Sequence, residues 1–292
     1  MCGIAGLFLK SSALEPQLGV LMSTMLNVLT ERGPDSAGFA IYGAGKPDQV
    51  KFTLRSSKAF DFLALAETFG GSAALYGDHS VVSVAESRAA SFKAKLEALP
   101  EIVIVSVGKR IEMFKGIGLP DDVGRRFGLS GMAGTHAIGH TRMATESAVT
   151  VDGAHPFSTG ADQCLVHNGS LSNHNDVRRT LIREGIKFAT QNDTEVAAGY
   201  LSHKLREGAK LDEALKAALK DLDGFYNFVV GTENGFGVLR DPVSCKPAVM
   251  AETNDYVAFA SEYRALAELP GIEAAHLFEP EPSRVYFWER AE

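Results

Sequence analysis

MCGIAGLF, residues 1–8, places a cysteine second in the chain and an apolar run directly behind it. Residues 4–9 read as a short buried strand. Chain ends normally fray, but a strand beginning this early would tie residue 2 into a sheet. One reading is a strand that happens to contain Cys2. The other is that Met1 is removed, as aminopeptidases commonly do before a small residue, so that Cys2 carries both a thiol and a free α-amine. Such an amine titrates at about 7.7–8.0 and the thiol at about 8.5. The neutral amine can then take the thiol proton, directly or through water, and one residue supplies both nucleophile and base. While Met1 remains, that amine is locked in a peptide bond.

The composition narrows the surroundings. The chain has 292 residues, enough to bury a sizeable core, with 45% hydrophobic and 22% charged residues. Its net charge of −7 comes without a basic block, which argues against nucleic acid as the main partner. No run reaches the ~18 apolar residues of a membrane span, and no basic segment precedes residues 4–9 as in an export signal. Three cysteines, Cys2, Cys164 and Cys245, lack CxxC spacing, so neither a disulfide framework nor a thiolate metal site is expected. The expectation is a cytoplasmic protein without a membrane partner.

Further along, Leu18, Leu21, Met22, Met25, Leu26 and Leu29 recur at helical spacing after Pro16. Gly33-Pro34 follows as a stop, and residues 39–42 as a strand. Residues 46–129 differ in texture and read as an α/β insertion: helices over 57–69 and 91–99, strands over 80–85 and 102–107, and a short helix opened by Pro120. Strands return in THAIGHTRMAT (135–145) and QCLVHNGSL (163–171), and helices cover 173–184, 194–207 and 211–222. Asn234-Gly235 predicts the turn of a hairpin, and YVAFAS and SRVYFW add strands around a short helix near Ala265. Two groups of strands with helices between them suggest stacked sheets covered by helices, an α+β fold, and not the regular alternation of a doubly wound sheet.

Four further motifs could carry chemistry. RGPDSAG (32–38) is a helix stop and tight turn, which could also place Arg32 and Asp35 near residue 2. GHTRMAT (139–145) sets Arg142 at a strand end, where its planar fork suits a carboxylate. In HNGSL (167–171), the Asn168 side chain and the Gly169 backbone N–H offer two donors at a strand end, as an oxyanion hole requires, although Asn-Gly is also a common turn. QNDTEV (191–196) opens a helix capped by Asn192 or Asp193; an Asp193 facing a pocket could pair with an ammonium. His136, His140, His155 and His167 fall close together, but no HExxH, carboxylate–His pattern or Cys pair accompanies them, so no metal is expected.

In order, Cys2-Gly3-Ile4, RGPDSAG, GHTRMAT, AHPF (154–157), HNG, NDTEV, LRDP (239–242) and ASE (260–262) resemble the class II glutamine amidotransferases, which are N-terminal-nucleophile hydrolases. The resemblance implies a four-layer αββα sandwich of two mainly antiparallel sheets, here one domain over 1–292 carrying the 46–129 insertion. It makes Cys2 the nucleophile and Asn168 and Gly169 the oxyanion hole. Arg142, Thr145, His155 and Asp193 become substrate-binding residues for L-glutamine, and Arg32 orders the loop closing the site. Aminosugar-synthesising relatives often carry Trp and His where Met143 and Glu146 stand, and they continue into a synthase domain where this chain stops. The nearer likeness is to the free-standing amidotransferase subunit of glutamate-synthase-like complexes such as N-methylglutamate synthase. It implies synthase partner subunits that hold flavin and an iron–sulfur cluster, and no cofactor in this chain. Two rivals stand beside it: an N-terminal-nucleophile amidase acting on another amide, and a non-catalytic regulatory subunit.

Overall fold

The computed structural model describes residues 2–144 and 148–290. Strand β1 (Gly3–Leu9) leads through a 3-10 turn at Ser12–Gln17 into helix α1 (Leu18–Val28), and β2 (Ser36–Tyr42) follows. Then come β3 (Gln49–Ser56), α2 (Phe62–Thr68), β4 (Ser72–Tyr76), β5 (His79–Ala85), α3 (Glu86–Glu97) and β6 (Ile102–Gly108). β7 (Ile111–Ile117), α4 (Pro120–Phe127), β8 (His136–Arg142), β9 (Phe157–Gly160) and β10 (Gln163–Leu171) complete the first half of the core. Three helices follow, α5 (His174–Arg183), α6 (Asp193–Arg206) and α7 (Leu211–Asp221). The chain closes with β11 (Gly224–Gly231), β12 (Gly235–Arg240), β13 (Val249–Glu252), β14 (Tyr256–Ala260), β15 (His276–Phe278) and β16 (Val285–Glu289).

These strands form sheets of seven, five and four, ordered β15-β13-β14-β1-β8-β2-β7, β16-β12-β11-β10-β9 and β4-β5-β3-β6. Every pairing between named strands is antiparallel. Alternation along each strand sorts the layers. In β1, Ala5, Leu7 and Leu9 face α1 and α4 and pack with Leu18, Met22, Met25 and Phe127. Ile4 and Phe8, on the opposite face, meet Cys164, Val166, Val229 and Phe236 of the five-stranded sheet. The far side of that sheet, with Leu165, Tyr226 and Phe228, is covered by Val196 and Leu201 of α6 and Leu215 of α7. Helices, sheet, sheet and helices therefore stack as the αββα sandwich. Gly6 lies where the two sheets approach closely, since a Cβ there would sit 2.8 Å from the Phe236 ring.

Residues 46–129 divide into two parts. β3 to β6, with α2 and α3, close a core of their own around Phe52, Phe92 and Leu96. β7, by contrast, pairs with β2 as the edge of the seven-stranded sheet, and α4 packs on that sheet's outer face. The separate body thus ends near residue 108. The expected helix over 57–69 begins only at Phe62, capped by Asp61, while that over 91–99 starts earlier, at Glu86.

Candidate active site

The start of β1 is fastened from both sides. Gly3 pairs with Thr141 of β8, and a Cβ on it would lie 2.7 Å from the Thr141 hydroxyl. The Ile4 N–H donates to Ser261 Oγ at 2.9 Å, and the Ser261 N–H returns a bond to Ile4 O at 3.0 Å. Residue 2 is consequently held in place. The Cys2 carbonyl accepts from Arg32 Nε at 3.0 Å and from Asn168 Nδ2 at 3.3 Å. The half-buried Cys2 thiol donates to the Met143 carbonyl at 3.9 Å.

Arg32 closes the 3-10 turn after α1 and uses its fork within the protein. While Nε holds Cys2 O, Nη1 pairs with Glu262 at 2.7 Å. Burial alone would raise the Glu262 carboxyl, but bonds from Arg32 and Arg264 outweigh it and hold it below its usual range. Gly33 and Asp35 explain the turn. A Cβ on Gly33 would lie 2.3 Å from the Thr141 backbone, so only glycine allows this approach. Asp35 then ties the RGPDSAG turn to the end of β8, giving its N–H to Arg142 O and accepting from the Ala144 N–H at 2.8 Å.

Arg142 ends β8 opposite Ser36 and is buried. Asn168 and Gly169 lie near the end of β10, where Gly169 has φ +149° and a Cβ would meet Phe225 O at 1.9 Å. Thr145, the remaining expected substrate residue, lies outside the described residues, as do Met1 and Glu146.

At the start of α6, Asn192 is the cap, its side chain accepting from the Thr194 N–H at 2.8 Å. Asp193 is freed from capping. Its Oδ2 accepts from the Leu171 N–H at 2.9 Å, and Oδ1 faces His167 Nδ1 at 3.6 Å. Burial would raise its pKa, but the His167 and Leu171 contacts prevail and bring it to about 2. His155 Nε2 and His167 Nδ1 both meet Thr194 Oγ1, at 2.7 and 3.0 Å. His155 stacks on His140 with centroids 4.1 Å apart. Burial holds His140 to about 3 and His155 well below its ordinary value. Among the described residues, no group of three or more His, Cys, Asp or Glu is placed to hold a metal ion, and no helix is long and apolar enough to cross a membrane.

Sequence reasoning assigned no contact to Glu262, Ser261 or Thr194. The first two stand within the ASE motif and the third within NDTEV, so their place in a motif was the available signal.

A sandwich of this layering, with residue 2 anchored at the head of a central strand, is the architecture of the N-terminal-nucleophile hydrolases. A family model described as a glutamine amidotransferase domain matches residues 140–268. The chain is 59% identical to the glutamine amidotransferase-like protein GlxB of Rhizobium meliloti (strain 1021), over 99% of this chain and 98% of that protein. It is 34% identical to a putative glutamine amidotransferase of Methanothermobacter thermautotrophicus, over 98% of this chain and 99% of that one. Among solved structures, the glutamine phosphoribosylpyrophosphate amidotransferase of B. subtilis superposes with a TM-score of 0.64 at 22% identity. That match covers 99% of this chain and 47% of the solved one, so this chain spans about half its length. The chain belongs to the glutamine amidotransferase family.

Proposed function

We propose that the chain hydrolyses L-glutamine to glutamate, with Cys2 as nucleophile, and hands the ammonia to a separate synthase subunit. The observation that carries this is Cys2 itself, its carbonyl gripped by Arg32 and Asn168 and its half-buried thiol held only by a long contact of 3.9 Å to the Met143 carbonyl among the described residues. With Met1 removed, the Cys2 α-amine takes the thiol proton and sulfur attacks the side-chain amide carbon. Asn168 Nδ2 and the Gly169 N–H receive the developing oxyanion. The amine returns its proton to the leaving nitrogen, the C–N bond breaks and ammonia departs. Water then attacks the thioester, releasing glutamate and restoring the thiol.

Arg142 offers a cation for the α-carboxylate and Asp193, held ionised, an anion for the α-ammonium, with His155 assigned to the same substrate. Such a pair favours an amino acid over a simple amide, because an analogue lacking one charge forgoes that contact. The synthase is of the glutamate-synthase or N-methylglutamate-synthase type, and flavin and an iron–sulfur cluster belong to it, not to this chain.

The test is labelling with a glutamine-like electrophile, followed by intact-mass and peptide analysis. One label on Cys2 of protein lacking Met1 is expected, and Cys2→Ala should lower glutamine hydrolysis by at least about a thousandfold. Labelling elsewhere, or full activity with Met1 retained, overturns the mechanism. Turnover of non-amino-acid amides that ignores Arg142→Ala would make the enzyme a different amidase. Co-purification of a synthase with this chain from its native host supports the partner assignment; recovery of active chain without any ammonia-using protein opposes it.

A further inference from the structure

Thr194, second residue of α6, is 1% exposed, and its hydroxyl touches two imidazoles. It lies 2.7 Å from His155 Nε2 and 3.0 Å from His167 Nδ1. A hydroxyl has one proton, so it can donate to only one of these nitrogens; the other must donate to it. Asp193 decides the direction. Its Oδ1 lies 3.6 Å from the same His167 Nδ1, and an ionised carboxylate only accepts. A lone pair on Nδ1 would confront that carboxylate, whereas a proton there serves both oxygens. His167 therefore carries its proton on Nδ1, and Thr194 accepts it. The Thr194 hydroxyl could accept from both rings, but its own proton would then have no acceptor among the described residues; it turns to His155 Nε2, and neutral His155 keeps its own proton on Nδ1. That N–H is buried and has no partner among the described residues, which leaves it for an acceptor brought by a ligand.

We infer that Thr194 is a positioning residue: its hydroxyl transmits the Asp193 charge through His167 and sets His155 as an Nδ1–H donor for the substrate. The substrate part of this rests on the glutamine reading above; the hydrogen-bond order does not. A hydroxyl was needed here because valine, equal in shape, would take its hydrogen bond from both imidazoles and leave His155 Nε2 without its donor.

The experiment is nitrogen NMR of the full chain labelled with 15N-histidine, free of substrate at neutral pH. Ring-nitrogen shifts and couplings distinguish the two tautomers. His155 and His167 should both be Nδ1–H in the wild type and in Thr194→Ser, whereas Thr194→Val should shift His155 towards Nε2–H. In glutamine turnover, Thr194→Val should raise KM about tenfold with a much smaller change in kcat, and Thr194→Ser should restore KM. An Nε2–H His155 in the wild type overturns the assignment even if the valine variant fails to fold. So do unchanged tautomers and KM in a folded valine variant. The stated tautomers in a protein that does not hydrolyse glutamine would support the hydrogen-bond order and overturn the substrate reading alone.

Discussion

Arg32 acts on the nucleophile through its backbone, which is why its geometry matters more than its charge. A guanidinium reaches Cys2 O and Glu262 at once because its donors form a rigid fork. Lysine offers a single ammonium that can serve one partner well. Arg32→Lys is therefore expected to lower kcat for glutamine about tenfold or more while KM changes little, as a loosened nucleophile would. Glu262→Gln should do the same more weakly, since it leaves a hydrogen bond but removes the charge that steadies Arg32. Steady-state glutaminase assays decide this; a KM effect with kcat intact would place Arg32 against the substrate. At this scale the motifs marked Cys2, Asn168 and Asp193, because each is a chemically unusual residue at a strand or helix end. The Arg32–Glu262 pair was not legible, since it joins side chains 230 positions apart.

Helix α1 shows what sequence reads well at the scale of elements. Six apolar residues at helical spacing pointed to one buried face, and Leu18, Leu21, Met22, Met25 and Leu26 are all buried. β4 and β7 were missed for opposite reasons. SAALY in β4 is a half-exposed strand without alternation, and IEMFKGI in β7 carries Lys115 buried on a sheet that it flanks. Lys115 survives there by lying 4.5 Å over the Phe157 ring, with burial lowering its pKa to about 8. The junction between the four-stranded sheet and the sandwich also escaped notice, yet it turns on one side chain. Asp162 is buried, takes φ +48°, and accepts the N–H groups of Lys109, Arg110 and Ile111 at 2.6, 2.8 and 3.0 Å. Asp162→Ala would leave those donors to compete for water in a closed turn. The expected cost is about 2–4 kcal/mol, read as a lower urea midpoint. Added hydrogen exchange should be confined at first to residues 108–111, and unchanged stability would mean the junction is held elsewhere.

The two sheets could be read as two groups of strands because hydrophobic runs and the Asn234-Gly235 turn are local signals; how they stack depends on pairings such as β1 with β14, set by contacts across the whole chain. That stacking buries histidines and so ties the stability of the molecule to pH. His136 lies flat on Tyr42, with centroids 3.9 Å apart, and its Nε2 meets Thr232 O at 2.9 Å. Burial lowers the pKa of His136 and His140 to about 3 and that of His155 well below its usual value. In the unfolded chain all three would titrate at about 6.5. Above that pH neither state holds the extra protons, and these groups add no pH dependence. As pH falls below it, the unfolded state binds protons that the native state refuses, and stability drops by about 1.4 kcal/mol per pH unit for each histidine. The loss continues until the folded pKa values are reached. Asp193 acts in a lower window: its depressed pKa stabilises the fold at neutral pH, and that contribution fades only between about 3.9, its unfolded value, and about 2. Urea unfolding at pH 7, 6 and 5 should therefore show stability falling steeply while most carboxylates are still ionised. His136→Gln, which keeps a side-chain amide facing Thr232 O, should make that decline shallower by about one histidine's share. A stability that stays level from pH 7 to pH 5 would mean that these imidazoles take up protons in the folded state, and that the core between the sheets admits water.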